Sequence, residues 1–365
     1  MRLDFFPSRS ITLYLAKMFI VRILAVLVML VLILQMLDLL SESGDILAYP
    51  GNGEAQLWTY VTLRVPQLVA TFLPYSVLLA TIITLATLNQ NSEVISMKAA
   101  GMSAHQILAP LVLTALAVST CSFAFNERVV TRATATLAAW SKQDYGPVPK
   151  NSDVRANVYL RDGDNVLLAG QLSGRDAAMR MDNVTWYRRN PEGMILQQVR
   201  APSATYSKAG WLLADPVSFD VQSAQEKTIA PLLIASQLTP KRIALTGVDA
   251  DSQSVVALYK SIERLDASGR NTTELRGAWW HKFSGPLSAI LMPLLGAVAA
   301  FGLARSGHLF VRAVIGMALG FAYFVVDNAA MAMGNFGGYP PLLAAWAPFM
   351  LFLLVGELVL IRTEE

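Results

Sequence analysis

The sequence predicts an α-helical membrane protein: six transmembrane helices, three on each side of an inserted all-β, jellyroll-like domain that lies outside the membrane. Hydrophobic residues make up 54% of the 365-residue chain and charged residues 15%, against roughly a quarter charged in soluble proteins. The mean hydropathy is +0.44. Six apolar stretches are long enough to cross a bilayer, and the segment between the third and the fourth carries strand and turn signals instead.

The six predicted spans follow from length, because a helix needs about 20 apolar residues to cross the hydrocarbon core. The first reaches about 40 Å at 1.5 Å per residue, so it should tilt or project beyond the bilayer. The spans are 12–40, 65–88, 106–126, 283–304, 310–333 and 342–361. The chain therefore divides into segments 1–126, 127–282 and 283–365.

Basic residues in the short loops predict the orientation, because they concentrate on the cytoplasmic side. Segments 41–63 and 334–341 contain no Lys or Arg. The opposite side carries Arg2, Arg9, Lys17, Arg22, Lys98, Arg305 and Arg312. Both termini are therefore predicted to be cytoplasmic, with segment 127–282 on the outer side.

The segment 127–282 is predicted to hold a β core over about 152–250. Asp162-Gly163-Asp164 separates two apolar runs and is typical of a hairpin turn. Further short runs follow at even spacing, as in a sandwich or jelly roll: 184–187, 194–196, 204–206 and 217–221. Apolar residues then recur at helical period over 254–266, which predicts an amphipathic helix either on the membrane surface or under the β domain.

The cytoplasmic loop 89–105 predicts a short helix over about 92–100. Ser92 can cap it, Glu93 is favourable in its first turn, and Gly101 can end it. Val94, Met97 and Lys98 continue it. Ser103 and Gln106 then form a capping box for the third span. Such a helix suits a groove on a cytoplasmic partner, although it could also be a plain interfacial helix.

Charged residues near the outer ends of the spans are candidates for lipid contact. Arg128 and Arg132 are four residues apart where span 3 ends, and Arg64 opens span 2. Guanidinium groups bind phosphate oxygens well, although these arginines could simply reach the interface. Asp38 and Asp327 could pair with the arginines, steer helix movement or be hydrated carboxylates at the rim.

Motifs for catalysis, metal binding and nucleotide hydrolysis are absent from the sequence. It has no G-x-x-x-x-G-K-[ST], H-E-x-x-H or G-x-S-x-G, and its three histidines are far apart. The single cysteine, Cys121, cannot form an intrachain disulfide. The basic residues are scattered and the net charge is only +3, so nucleic-acid binding is not indicated. The chain is therefore predicted to be neither an enzyme nor a cofactor protein.

Several stretches resemble the LptF/LptG family, the permease subunits of the lipopolysaccharide export ABC transporter. The resemblance covers nearly the whole chain, including the order of three spans, β domain and three spans. Its LptG branch fits better, chiefly through Leu37-Asp38-Leu39-Leu40 and the reach of span 1. The matching residues are Ser92-Glu93, Met97, Ala100-Gly101, Ser103, Leu37-Asp38, Pro66, Pro74 and Tyr323-Phe324-Val325-Val326-Asp327.

The resemblance implies extraction of lipopolysaccharide from the outer leaflet of the bacterial inner membrane. It implies an LptF-like partner permease, an LptB-like ATPase dimer that contacts Glu93, an LptC-like single-span protein and an LptA-like periplasmic bridge. Gln35, Ser41 and Glu42 stand where LptG members tend to carry lysines. The alternatives are a receptor or scaffold with a ligand-binding β domain, and a mechanotransmission-type ABC protein.

Overall fold

Along the chain, a stretch of β-strands lies between two sets of long apolar helices. The computed structural model describes residues 7–364 except 149–154, 175–177, 191, 208, 237, 241–242, 244–247, 268 and 302–308. Arg2, Arg305 and His308, and the loop predicted between spans 4 and 5, lie outside the described residues. The described chain forms two compact units: residues 1–40, 64–131 and 253–365 make the helical unit, and residues 41–63 and 132–252 make the β unit.

The helices of the N-terminal part are α1 (Arg9–Ala48), α2 (Glu54–Gln90), α3 (Glu93–Ala99), α4 (Ala104–Phe125) and α5 (Thr131–Ser141). A π-helical turn, Asn126–Val130, joins α4 to α5. After the strands follow α6 (Val255–Ala267), α7 (Thr273–Phe301), α8 (Leu309–Asn335) and α9 (Pro341–Glu364).

Five helical stretches of the described chain are long and apolar enough to cross a membrane: Arg9–Ala48, Glu54–Gln90, Ala104–Ser141, Val314–Asn335 and Pro341–Leu358. They coincide with predicted spans 1, 2, 3, 5 and 6. Predicted span 4 falls on α7, a 29-residue helix that is not among the five. Because the window 283–304 runs on into residues that are not described, a sixth span stays a prediction.

The core of the helical unit is built from side chains of α1, α2, α4, α7, α8 and α9, with Val94 of α3 joining it. Prolines interrupt several of these helices, and hydroxyl groups bond to the neighbouring carbonyls, as is usual inside membranes. Thr114 Oγ1, for example, donates to Pro110 O at 2.7 Å. Fully buried members of the core include Leu15, Phe19, Leu85, Leu108, Leu291 and Tyr323.

The β unit contains one antiparallel sheet of eight strands in the order β1-β2-β3-β4-β5-β8, with β6 pairing β4 and β7. The strands are β1 (Arg155–Asp162), β2 (Asn165–Ser173), β3 (Arg180–Arg189), β4 (Ile195–Ser207), β5 (Gly210–Ala214), β6 (Val217–Asp220), β7 (Gln225–Thr228) and β8 (Leu232–Ile234). The predicted hairpin is present, with Asp162 facing Asn165 and Gly163 at φ +63°. The predicted class, a helical membrane protein with an inserted antiparallel sheet, is therefore confirmed, and a two-sheet jelly roll stays a prediction.

Two strands predicted separately, at 194–196 and 204–206, are one continuous strand, β4. Its neighbour changes at Pro202: residues 197–200 pair with β6 and residues 203–207 pair with β5. Proline cannot donate to a ladder, so a change of partner is a suitable place for it. The prediction was wrong here because polar residues such as Gln197 and Gln198 interrupt the apolar pattern while the ladder to β3 continues.

A crease crosses β2, β3 and β4 at Gly170, Asn183 and Pro202, which are aligned across the three strands. Asn183 has a left-handed backbone, φ 52°, and a Cβ on Gly170 would lie 2.9 Å from its Cβ. Each strand buries residues at i and i+3 across the crease rather than at i and i+2, as Ala169 and Leu172 do in β2. Residues on both sides of the crease therefore join the same core, around Trp211.

Candidate functional site

The helix α3 lies between α2 and α4 and begins one residue later than predicted. Ser92 has a left-handed backbone, φ 60° and ψ 14°, and its side chain makes no capping hydrogen bond. The prediction that Ser92 caps α3 was therefore wrong. Its backbone N–H instead donates to Asn89 O at 3.0 Å, so Ser92 belongs to the turn that ends α2.

A turn that contains a glycine ends α3. Gly101 has φ +86°, a conformation that costs glycine little, and Met102 N–H donates to Met97 O at 3.1 Å. The predicted capping box follows directly: Gln106 N–H donates to Ser103 Oγ at 3.2 Å, and Ser103 N–H donates to Gln106 Oε1 at 3.1 Å. The short helix is thus connected to α4 by a defined turn.

The side chains of α3 separate into an anchored set and an exposed set. Val94 is buried and Met97 packs against the core, which attaches α3 to the helical unit. Ile95 and Lys98 are exposed. Glu93 is half-buried, and both of its carboxylate oxygens accept from the Tyr14 hydroxyl of α1, at 3.3 and 3.2 Å. A partner could therefore contact Ile95, Lys98 and the outer side of Glu93.

Arg64 and Asp38 form a bidentate ion pair between α2 and α1. Arg64 Nε donates to Asp38 Oδ2 at 3.0 Å and Nη2 donates to Oδ1 at 2.9 Å. The remaining nitrogen, Nη1, donates to Gln67 Oε1 at 2.6 Å. This is one of the arrangements left open for Asp38, and it gives each of the three guanidinium nitrogens a protein acceptor. A phosphate bound to Arg64 in the same bidentate way would have to displace Asp38.

Asp327 is buried within the helices rather than placed at an open rim. His281 Nε2 lies 2.9 Å from Asp327 Oδ2, and this contact joins α7 to α8. Oδ1 is buried without a hydrogen-bond partner in the part of the chain that the structure describes. Pairing of Asp327 with the arginines was one possibility, and the structure pairs it with His281 instead. A bilayer makes unpaired carboxylates costly, so this pair fixes where the two helices meet.

Gln35 and Glu42, two residues of α1, have different environments. Gln35 is buried in α1, and both of its amide atoms are without a partner among the described residues. Glu42 belongs to the β unit, where its Oε2 accepts from the Tyr145 hydroxyl at 2.6 Å. Burial, reinforced by this hydrogen bond, raises the pKa of Tyr145 to about 12. Glu42 is therefore engaged in a protein contact.

Arg128 and Arg132 both have exposed side chains. Arg128 lies inside the π-helical turn, whose i→i+5 bonds differ from those of an α-helix. The i, i+4 rule does not carry across such a turn, so the expectation that the two arginines share a face stays a prediction. In the described part of the chain, no group of three or more His, Cys, Asp or Glu side chains could hold a metal ion.

Sequence patterns missed several polar contacts, among them His281 with Asp327, Tyr14 with Glu93, and Glu127 with the N–H of Val255. Each joins residues at least 46 positions apart. A local pattern cannot report such pairs. One available signal was the placement of Asp327 within an apolar stretch, where polar side chains usually have partners.

Comparison with known proteins identifies the family. Residues 13–362 match the family model described as "Lipopolysaccharide export system permease LptF/LptG". The LptG permease protein of Escherichia coli K12 is 26% identical over 310 residues, which cover 83% of this chain and 84% of that protein. The LptG protein of Haemophilus influenzae is 24% identical over 322 residues, covering 86% and 89%. The chain is thus a multi-pass membrane protein that belongs to the LptF/LptG family of lipopolysaccharide export system permeases.

Proposed function

We propose that this chain is the LptG-type permease that takes lipopolysaccharide from the outer leaflet of the inner membrane and passes it to a periplasmic β-jellyroll bridge. The observation that carries the proposal is the family match over residues 13–362. Both relatives described above bear the LptG name, which supports this branch. Both termini are cytoplasmic and the β unit is periplasmic in this proposal.

The energy for export comes from a separate LptB-like ATPase dimer, and α3 is the element that meets it. Val94 and Met97 hold α3 on the helical unit, while Ile95 and Lys98 are exposed to a partner. Glu93 offers a carboxylate beside them, and Ser92 and Gly101 set the ends of the contact segment. A short helix with an exposed apolar residue and flanking charges suits a groove on a soluble protein.

Lipid phosphates are contacted first by Arg128 and Arg132, whose side chains are exposed. Arg64 serves as a second site, because a phosphate must displace Asp38 from it. Asp327 contributes indirectly by holding α8 on α7 through His281. An LptF-like permease completes the lipid cavity, and an LptC-like single-span protein and an LptA-like bridge continue the route beyond the β unit.

Charge reversal at Glu93 tests the ATPase contact. In a complex co-expressed with LptF-like and LptB-like partners, Glu93→Lys should weaken retention of the ATPase about tenfold or more, as losing an interfacial charge pair does. Glu54→Lys is the matched control, because Glu54 also lies in the first turn of a helix and its side chain is exposed. Equal ATPase retention and equal lipopolysaccharide release in the two variants would show that Glu93 has no coupling role.

Cysteine labelling tests the orientation. After Cys121→Ala, single cysteines are placed at Ser96 of α3 and Gln222 between β6 and β7, both of which are exposed. A membrane-impermeant maleimide should label Gln222→Cys in spheroplasts and Ser96→Cys only after lysis. Labelling of both positions from one side would overturn the proposed lipid route.

A further inference from the structure

The helix α6 connects the β unit to α7, and its N-terminus is fixed to the end of α4. The backbone N–H of Val255 donates to the Glu127 carboxylate, with both oxygens 2.9 Å from the nitrogen. Ser254 Oγ accepts from Ala257 N–H at 3.2 Å. The first N–H groups of a helix have no acceptor within it, and a negative charge there is favoured by the helix dipole. Glu127 therefore caps a helix that begins 128 residues later in the chain.

The same helix is fixed to α7. Trp279 Nε1 donates to Val255 O at 3.1 Å, and the rings of Tyr259 and Trp279 are 5.7 Å apart. At the other end of α6, Asp266 accepts from Thr272 Oγ1 at 2.5 Å and from Arg276 of α7. These two donors hold the pKa of Asp266 below its usual value. The apolar face of α6 is buried and consists of Leu258, Ile262 and Leu265.

Contacts between α4 and α7 close the arrangement into a ring of three helices. Ser119 Oγ of α4 donates to Pro286 O of α7 at 2.8 Å. Phe123 of α4 stacks on Phe283 of α7, with ring centroids 5.6 Å apart. Phe283 in turn contacts Trp279 at 5.2 Å. Within this ring, the side chain of Glu127, in the turn that follows α4, bonds to the first residue of α6.

Glu127 lies in the π-helical turn Asn126–Val130, which follows α4 without a break. π-Helical turns are rare in proteins as a whole, and many of those that occur lie at functional sites. The other end of α4 starts at the Ser103–Gln106 capping box, directly after α3. One helix thus connects the segment that faces the proposed ATPase to the residue that caps α6.

We propose that Glu127 is a positioning residue for lipid export, one that makes α6 follow α4. A displacement of α3 by the ATPase is passed along α4, and Glu127 transfers it to α6 and to the chain entering the β unit. Glu127 touches neither nucleotide nor lipid in this role. This inference rests on the proposed function, and it adds a route between hydrolysis and the β unit.

The test uses the full complex with its ATPase and permease partners, reconstituted in liposomes that contain lipopolysaccharide. Glu127→Ala should lower the lipopolysaccharide delivered per ATP hydrolysed about tenfold, the factor that corresponds to losing a charge-assisted hydrogen bond. The rate of ATP hydrolysis should change less than twofold. Glu127→Gln retains an acceptor oxygen and should restore most of the delivery. Glu263→Ala, an exposed glutamate on α6 itself, is the control and should behave like the unmodified chain.

Hydrogen exchange measures the cap independently of transport. In Glu127→Ala the Val255 amide of α6 should exchange about tenfold faster, because its acceptor is lost. If the amide exchanges faster but the lipopolysaccharide delivered per ATP is unchanged, Glu127 has no coupling role. If the exchange rate is unchanged, Glu127 does not cap α6. If the unmodified complex moves no lipopolysaccharide at all, the proposed function fails and the coupling role with it, while the exchange result still decides the cap.

Discussion

Two histidine–carboxylate pairs join helices of the helical unit, and they differ in length and in exposure. His105 Nε2 of α4 lies 3.5 Å from Glu357 Oε2 of α9, with side chains 29% and 42% exposed. His281 Nε2 lies 2.9 Å from Asp327 Oδ2, with side chains 36% and 10% exposed, so the two pairs differ in the burial of the carboxylate and not of the imidazole. An exposed pair contributes little because it is screened, whereas breaking a buried pair leaves an uncompensated charge.

The same contrast holds for the two ends of the helical unit. Near α3, the Tyr14–Glu93 contact is long and exposed, which leaves Glu93 available to a partner. Towards the opposite ends of α2 and α4, the bonds of Arg64 to Asp38 and of Val255 to Glu127 are short and partly buried. The comparison is thus between long, exposed polar contacts and short, more deeply buried ones. Three measurements can break or sharpen it.

The largest effect is expected at His281. His281→Ala should lower the free energy of unfolding in detergent by about 3 kcal/mol, because Asp327 loses its partner inside the helices. His105→Ala, the control, should cost less than about 1 kcal/mol. Asp327→Asn can still accept from His281 and should cost less than His281→Ala. Equal losses for the two histidine variants would contradict the comparison.

A smaller effect is expected at Arg64. Arg64→Lys should lower the free energy of unfolding by about 1 kcal/mol, because an ammonium group cannot reproduce the bidentate contact with Asp38. Arg132→Lys serves as the control, since that side chain is exposed and should change stability by less than about 0.5 kcal/mol. A loss of stability at Arg132 as large as that at Arg64 would show that the bidentate contact with Asp38 contributes nothing extra.

The third effect, similar in size to the one at Arg64, concerns Tyr145 of the β unit and depends on pH. The folded pKa of about 12 lies above the ordinary value of 10, so folding favours the protonated phenol. Its contribution is complete below pH 10 and is lost as the pH rises towards 12. Tyr145→Phe should lower the free energy of unfolding by about 1 kcal/mol at neutral pH. It should also remove the fall in that free energy between pH 10 and pH 12. Tyr159→Phe, which changes an exposed phenol, should do neither; a retained pH slope in Tyr145→Phe would exclude this origin.

Local patterns predicted those parts of the fold that local chemistry determines. Five spans, the Gly101 turn, the Ser103–Gln106 capping box and the hairpin at Gly163 all depend on neighbouring residues, and the structure contains each of them. The family match also confirms the predicted family and its role as a permease rather than an enzyme.

Packing between distant segments determined what the patterns missed. The partners of Asp327 and Glu127 are 46 and 128 residues away. The capping role given to Ser92 failed because its backbone is left-handed and its side chain makes no hydrogen bond to the first turn of α3. Contacts of Glu93 with an ATPase, and of Arg128 and Arg132 with lipid, involve partner molecules, so they remain predictions.

The crease at Gly170, Asn183 and Pro202 has a consequence for how this sheet can vary. All three strands change the parity of their buried positions together, from Ala169 to Leu172, from Val184 to Met181 and from Ala201 to Ala204. Deleting one residue at the crease in a single strand would shift its pairing with the unchanged neighbours by one residue on one side of the crease, and the apolar side chains of that half would turn outward. Insertions and deletions at this line are therefore tolerable only when all three strands change together, because their registers are linked.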